Sequence, residues 1–289
     1  MKRSCLGVGF CFLGGTSSMR NRLPISAMLF LACALHAQES PAPRPTADVT
    51  QSDFRTLLSQ AESGDREAQY RLAQRYEYPE DISVPKNDAA AREWMLRSAE
   101  QGYAPAEVGI GVIYMGASGD RGKAETWLRR AAEQGNTEAQ FWLGAAYEEG
   151  RFGTTDYQEA FKWLVKAAEQ RHPDAQVILG EMYEEGEFVS QNYVMAAKWY
   201  RKAAEHSPDM GGAGQGRNQL GMLYEDGLGV PKNLVLAYMW YSLTQFQENL
   251  KDIECDMTRA QIAQARKMAV VWLKAHPEEH DTVAQRNMR

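Results

Sequence analysis

Small and apolar residues recur along this chain at the spacing of one helix face. In the segment that begins at Ala139, this residue is followed by Leu143 and Ala146 at intervals of four and three residues, the pattern of a buried α-helix face. After a short polar loop, Ala160 and Trp163 begin a second stretch with helical spacing. We therefore predict two antiparallel helices joined by a tight turn.

Residues that favour helix ends mark the limits of these two helices. Thr137 and Asp156 stand just before the two stretches, and each is a predicted N-cap. Gly150 follows the first stretch, and we predict that it adopts the left-handed conformation that ends many helices.

The chain contains five copies of this unit, and its large residues occupy the same positions in each copy. One position in the first helix holds Leu72, Ile110, Leu143, Leu179 and Leu220. Four residues later stand Tyr76, Tyr114, Tyr147, Tyr183 and Tyr224. One position in the second helix holds Trp94, Trp127, Trp163, Trp199 and Trp240. Because five of the seven tryptophans share one position, at spacings of 33, 36, 36 and 41 residues, we predict that these aromatic positions form the core between stacked hairpins.

The fifth copy contains a pattern typical of a known repeat family. It has Leu220, Gly221 and Tyr224 in the first helix, then the loop Gly227-x-Gly229-Val230-Pro231, then Ala237-x-x-Trp240-Tyr241 in the second helix, and this order is similar to that of a Sel-one-like repeat. The chain resembles this family, a relative of the tetratricopeptide repeat, over about residues 61–245. The resemblance implies an all-α fold, a right-handed α/α superhelical solenoid of a secreted bacterial type that binds proteins or peptides. It implies no reaction.

The termini differ in composition from the repeats. Residues 1–37 carry four basic and no acidic residues and end in an apolar run of about thirteen residues, which predicts a signal peptide and a periplasmic or secreted protein. Met19 is an alternative start, and Cys33 leaves lipidation as a less favoured alternative. We predict a flexible linker over 38–53, a solenoid over 54–275 closed by a capping helix at each end, and a disordered tail over 276–289.

The segment 206–217 is rich in glycine and has two interpretations. A phosphate-binding loop would follow a strand and contain a Gly-Lys-Ser/Thr sequence, and neither is present. We therefore predict a flexible loop between repeats four and five. The final helix is predicted over 258–274, with Thr258 and Gln261 as a capping box.

The net charge, the cysteine content and the sequence motifs limit the classes of function that the protein can have. Removal of residues 1–37 changes the net charge from −6 to −10, since four positive charges leave, and it leaves Cys255 as the one cysteine. An acidic chain argues against nucleic acid as a partner.

Common hydrolase, metal and nucleotide motifs are absent from the sequence, so we expect no enzymatic activity, no cofactor, no metal site and no transmembrane segment in the mature chain. His276 and His280, with Pro277 between them, are interpreted as part of a solvated tail.

Acidic residues accumulate at the ends of the first helices, where the helix dipole disfavours them. Stability alone would not select them, so we predict an acidic strip beside an apolar strip on the concave face. The acidic residues are Glu148, Glu149, Glu181, Glu184, Glu185, Glu225 and Asp226. The apolar residues are Tyr70, Val108, Phe141 and Val177. The hypothesis is a groove for a basic protein or peptide segment with apolar anchors. The simpler alternative is that the carboxylates only keep this face solvated.

The favoured function is a non-enzymatic interaction scaffold or adaptor of the bacterial cell envelope. Two alternatives remain, a secreted hydrolase of β-lactam or cell-wall type and a structural protein associated with peptidoglycan. The hydrolase alternative comes from secreted members of the family that contain a disulfide in each repeat, and the cysteine content here does not allow such disulfides.

Overall fold

The structure is a computed structural model that describes residues 47–79, 85–206, 211–244 and 247–276. These residues form helices and connecting turns, and no strand occurs among them. Contacts divide the chain into two units, Met1–Val49 and Thr50–Arg289. The first residues of helix α1 belong to the first unit, and all other helices belong to the second. The predicted signal peptide, most of the predicted linker and residues 277–289 lie outside the described residues.

Thirteen α-helices are present in the described part of the chain. They are α1 Ala47–Glu62, α2 Arg66–Glu77, α3 Asp88–Glu100, α4 Ala104–Ile113, α5 Arg121–Glu133, α6 Thr137–Glu148, α7 Tyr157–Glu169, α8 Pro173–Glu185, α9 Tyr193–Ala204, α10 Gly211–Asp226, α11 Leu234–Ser242, α12 Gln247–Glu254 and α13 Arg259–Ala275. A π-helical turn, Tyr114–Ser118, follows α4.

The helices pack in consecutive antiparallel pairs, which form five two-helix repeats. The pairs are α2 with α3, α4 with α5, α6 with α7, α8 with α9, and α10 with α11. Each second helix also packs against the first helix of the next repeat, so the hairpins stack into a solenoid. At the C-terminal end α13 packs on α11 and covers the last repeat. The predicted all-α solenoid of five repeats is confirmed.

A glycine that follows the leucine position in the first helix sets how closely the two helices of a hairpin approach. A Cβ at Gly144 would lie 2.8 Å from Leu164 Cγ, and a Cβ at Gly180 would lie 2.3 Å from Tyr200 Cε1. In both cases the neighbour is the residue directly after the repeat tryptophan. The Leu-Gly pair of the sequence is therefore a packing requirement of the hairpin.

Polar side chains at the helix starts satisfy backbone N–H groups that have no partner within the helix. Asp156 accepts from the N–H groups of Gln158 and Glu159, and Thr258 forms the predicted capping box with Gln261. The prediction for Thr137 is wrong, because Asn136 is the N-cap of α6 and accepts from Ala139 N at 2.8 Å. Thr137 is the first helical residue and donates its hydroxyl to Gln170 Oε1 at 2.9 Å.

The glycine-rich segment before repeat five is a helix in its second half, so the predicted loop over 206–217 is wrong there. Helix α10 begins at Gly211. A Cβ at Gly212 would lie 2.5 Å from Asp174 N, and a Cβ at Gly216 would lie 2.7 Å from Ala203 Cβ. The glycines thus permit α10 to contact the backbone of the preceding repeat, and this tertiary contact outweighs their low helix propensity.

The helices at both ends of the stack differ in detail from the predictions. Helix α1 begins at Ala47, seven residues before the predicted start at Phe54. Helix α12, which was not predicted, connects repeat five to the final helix. His276 is not part of a solvated tail, because its ring stacks on Trp272 at 4.0 Å and its Nδ1 lies 2.8 Å from the Trp272 carbonyl oxygen.

Candidate partner-binding surface

The first helices of the repeats form the inner side of the stack. From α4 to α10, consecutive first helices contact one another directly. Within the described residues no pair of second helices from neighbouring repeats makes a comparable contact. Because the more closely spaced helices lie on the shorter side of a curved stack, the first helices face inward.

The repeat aromatic residues differ in burial along the stack. Trp163 is 2% exposed, and Trp199 and Trp240 are also buried, whereas Trp94 and Trp127 are half-buried. Arg97 lies over the ring of Trp94 at 4.6 Å. Of the five repeat tyrosines, Tyr147 is buried, and the half-buried ones are Tyr76, Tyr114, Tyr183 and Tyr224.

The predicted apolar strip is largely inside the protein. Val108 is 8% exposed, Phe141 is 3% exposed and Val177 is 2% exposed, while Tyr70 is half-buried. Phe141 is covered by His172, whose ring stacks on it at a centroid distance of 4.3 Å. Three of the four predicted apolar anchors are therefore not on an open groove, because neighbouring repeats cover them when the hairpins stack.

Two of the predicted acidic residues hold the hairpins together. Glu184 accepts a hydrogen bond from the Tyr200 hydroxyl at 2.7 Å, and Glu225 accepts one from the Tyr241 hydroxyl at 2.7 Å. Burial, together with the Glu184 carboxylate, raises the pKa of Tyr200 well above its usual value. The argument that stability would not select these carboxylates is therefore wrong for Glu184 and Glu225.

The remaining predicted carboxylates lie in more varied surroundings. Glu149 is 2.6 Å from Arg151 Nε, and buried Glu181 accepts from Gln215 Nε2 at 2.9 Å. Glu148 is half-buried, and Glu185 and Asp226 are exposed. The structure thus brings these side chains to the ends of the first helices, but it does not give them one common environment.

A buried polar position that the sequence interpretation missed connects each repeat to the one before it. Gln69 donates its Nε2 to the Ala61 carbonyl at 3.0 Å, and Gln140 and Gln176 make the same bond to Ala132 and Ala168 at 3.1 and 3.0 Å. Each bond satisfies a carbonyl in the last turn of the preceding helix. The available signal was the Ala-Gln pair near the start of the first helices of repeats one, three and four.

Repeats two and five place charged residues at this position. Glu107 is buried in repeat two, where it lies 2.7 Å from Arg130 Nε and accepts from Gln134 Nε2 at 2.6 Å. Burial raises the pKa of the Glu107 carboxyl, and the Arg130 charge opposes this rise. Arg217 occupies the position in repeat five.

Arg217 is 1% exposed and joins three separate segments. It donates to the carbonyl oxygens of Ala204 at 3.0 Å, His206 at 2.7 Å and Leu243 at 3.3 Å. Its guanidinium also lies over the Trp272 ring at 4.6 Å. The sequence predicted that Arg217 ends a flexible loop. This prediction is wrong, because Arg217 is a buried residue of helix α10.

No cluster of three or more metal-ligating side chains occurs among the described residues. A search of the same residues finds no helix with the length and apolarity needed to cross a bilayer. Apart from the internal hydrogen bonds described above, the described residues provide helix faces, carboxylates and turn loops.

The Sel1 repeat family pattern matches residues 66–103, 104–136, 137–172, 173–208 and 215–243. This is more than half of the chain, so the protein belongs to the Sel1 repeat family. Proteins of this family generally mediate protein–protein interaction, and their fold is typically non-enzymatic. No curated protein matches the chain significantly.

Solved structures share the fold. A protective antigen present in uropathogenic Escherichia coli strains, described as displaying an SLR fold, is 26% identical with a TM-score of 0.50. That match covers 81% of this chain, and the chain spans 58% of the antigen's length. A Sel1 repeat protein from Oxalobacter formigenes is 23% identical with a TM-score of 0.55, covering 81% of this chain and 94% of the other.

Proposed function

We propose that this protein is a non-enzymatic scaffold of the bacterial cell envelope that binds a protein or peptide with basic character. The observation that carries the proposal is the solenoid of five Sel1 repeats, in which the first helices of repeats one, three, four and five end in a carboxylate residue. Family members generally act through protein–protein interaction. No observation of the fold or the relatives favours the hydrolase alternative.

The basic character of the partner follows from charge. Glu148, Glu149, Glu185 and Asp226 carry negative charge at the ends of three consecutive first helices. A partner with lysine and arginine side chains gains a favourable encounter rate and orientation from such a surface. Binding of this kind weakens as salt screens the charges.

Affinity capture from an envelope lysate tests the proposed partner. Residues 38–289 serve as bait at low and moderate salt, and captured proteins are identified by mass spectrometry. A variant with Glu148, Glu149 and Glu185 changed to Gln should lose a specific partner. The matched control changes exposed Glu133, Glu169 and Glu205 to Gln, since these residues lie at the ends of the second helices. Equal capture by both variants would contradict the acidic surface.

Export is a separate part of the proposal. It is supported by the basic and then apolar composition of residues 1–37. The full chain with a C-terminal tag should appear in the envelope fraction with Gln38 as its first residue, as measured by N-terminal sequencing. A tagged chain that stays in the cytoplasm and keeps residues 1–37 would show that the export proposal is wrong.

A further inference from the structure

The loop inside repeat four contains an exposed phenylalanine where repeat five has a glycine. Phe188 and Gly229 stand two residues after the glycine that ends the first helix of their repeats. Both have left-handed backbones, with φ of 62° at Phe188 and 66° at Gly229. Glycine adopts this conformation without a Cβ penalty, whereas phenylalanine adopts it at an energetic cost.

Packing does not account for the phenylalanine. Its side chain is 54% exposed, so more than half of a large apolar surface faces solvent. Its ring lies 5.7 Å from Phe161, which in turn lies 6.1 Å from Tyr183. Tyr157, one helical turn before Phe161, is 36% exposed. Local stability and solubility both favour glycine at position 188, so the phenylalanine points to a binding contact.

The same loop position in repeat three also holds a phenylalanine. Phe152 stands two residues after Gly150, and its ring packs edge-on against Tyr147 at 5.0 Å. Helices that pack side by side lie about 8–10 Å apart, so equivalent positions in neighbouring repeats are about 10 Å apart. The loop edge of repeats three and four therefore carries two aromatic contact points separated by about one repeat.

Carboxylates surround these contact points. Glu149 and Glu185 each stand three residues before the loop phenylalanine of their repeat; Glu185 is exposed, whereas the Glu149 carboxylate is paired with Arg151 Nε at 2.6 Å. Glu187, directly before Phe188, is half-buried with its Oε2 inside the protein, and Arg151 is the one basic side chain in the two loops between helices. The surface thus combines the exposed rings of Phe188 and Tyr157 with the half-buried rings of Phe152 and Phe161 and with the exposed residue Glu185, which together are complementary to a cationic partner with apolar side chains.

The spacing favours one conformation of the bound segment. A polyproline II segment has three residues per turn and rises 3.1 Å per residue, so every third side chain lies on one face at intervals of about 9 Å. This interval fits contact points about 10 Å apart, and aromatic-lined surfaces are the usual receptors for such segments.

We propose that the loop edge formed by Phe152, Tyr157, Phe161 and Phe188 is a docking surface for a polyproline II segment of a partner protein. The segment has an apolar side chain at every third position and lysine or arginine between them. This inference rests on the proposed function as a protein-binding scaffold, and it moves the apolar anchors from the buried strip to the loop edge.

Fluorescence anisotropy with defined peptides tests the surface. The probe is a labelled peptide of three Leu-Pro-Arg triplets. One control has Glu in place of Arg, and a second has the same composition with leucines two residues apart. We expect the full chain to bind the probe at least about tenfold more tightly than either control, and Phe188→Gly to weaken this binding by at least about tenfold.

Arg171→Gly is the matched control, because Arg171 is also a non-glycine residue with positive φ, at 69°, outside this surface. It should leave peptide binding unchanged. Both variants should unfold at the same or a higher temperature than the unmodified chain. Unchanged binding by Phe188→Gly, or a lower unfolding temperature, would overturn the inference, as would failure of the unmodified chain to bind the probe. If the inference is overturned but the Phe188→Gly chain still captures a partner from the envelope lysate, the proposed function remains supported.

Discussion

Repeats one and two differ from repeats four and five in the residue that follows the repeat tryptophan. The first two repeats have Met95 and Leu128 there, whereas the last two have Tyr200 and Tyr241. Met95 packs against Gly109 in the first helix of the next repeat, whereas the side chains of Leu128, Tyr200 and Tyr241 pack against a glycine in the first helix of their own hairpin. The two tyrosines in addition reach a carboxylate at the end of that helix, at 2.7 Å in each case.

The core is organised differently in these two regions. Buried residues of repeats four and five form one cluster with α12 and α13, whereas those of repeat one and its neighbours form two smaller clusters. Because the stability of a solenoid is a sum of repeat and interface contributions, the C-terminal half should be the more stable one. In repeats two, four and five, the same hairpin position thus accepts either an aliphatic residue or a hydrogen-bonded tyrosine.

Replacement of a repeat tryptophan should have the largest effect and should differ between the two regions. Trp240→Ala should cost about 3–5 kcal/mol, because the ring is buried and packs against Trp272 at 6.1 Å. Trp94→Ala should cost about half of that, since Trp94 is half-buried. Urea unfolding followed by circular dichroism measures both. Equal losses would mean that the two ends have equivalent cores.

Replacement of the buried Arg217 should cause the second-largest loss of stability. Arg217→Met removes three bonds to carbonyl oxygens and should lower the free energy of unfolding by about 3 kcal/mol. Gln176→Met, which removes one such bond in repeat four, should cost about 1 kcal/mol. A loss for Arg217→Met no larger than that for Gln176→Met would show that the arginine does not join the final helices to the stack.

The tyrosine hydroxyls should contribute a smaller amount. Tyr200→Phe keeps the ring and removes the bond to Glu184, so we expect a loss of about 1 kcal/mol. A double-mutant cycle with Glu184→Gln isolates the pair, and its coupling energy should account for most of the loss. A coupling energy near zero would mean that the two regions differ in the extent of their cores and not in this hydrogen bond.

The smallest effect concerns pH. Burial, followed by Arg171, His172 and Arg217, lowers the pKa of His206 below its usual value of 6.5. The unfolded chain therefore binds this proton at a higher pH than the folded chain, and stability should fall as the pH drops through about 6.5. His206→Gln should lose less stability than the unmodified chain between pH 8 and pH 5.5 in thermal unfolding. A larger loss in the variant would contradict the direction of the shift.

Much of the fold could be predicted from the sequence because the repeat amplifies a weak signal. A single Leu-Gly pair is uninformative, but a glycine after the leucine or isoleucine position in four of the five repeats identifies the helix contact that Gly144 and Gly180 provide. The start of α10 could not be predicted, since glycine-rich sequence favours a loop unless a neighbouring backbone fills the space left by the side chains. The contact between Gly212 and Asp174 is visible in the tertiary structure alone.

The candidate site was predicted less well, for a related reason. Sequence spacing places Val108, Phe141 and Val177 on one helix face, but it does not tell whether the next repeat covers that face. It also does not tell which carboxylates meet a tyrosine from the partner helix, as Glu184 does. Burial and side-chain pairing depend on the rotation between neighbouring hairpins, which is a property of the stack.

By itself, the sequence determined the helix pair, the number of repeats and the family. These properties are local or periodic, and they are encoded in spacings within about forty residues. The tertiary structure alone decided that Arg217 is a buried junction and that Phe188 is exposed in a left-handed turn. Both outcomes depend on contacts between segments that are distant in sequence, because a side chain is buried or exposed according to what packs beside it.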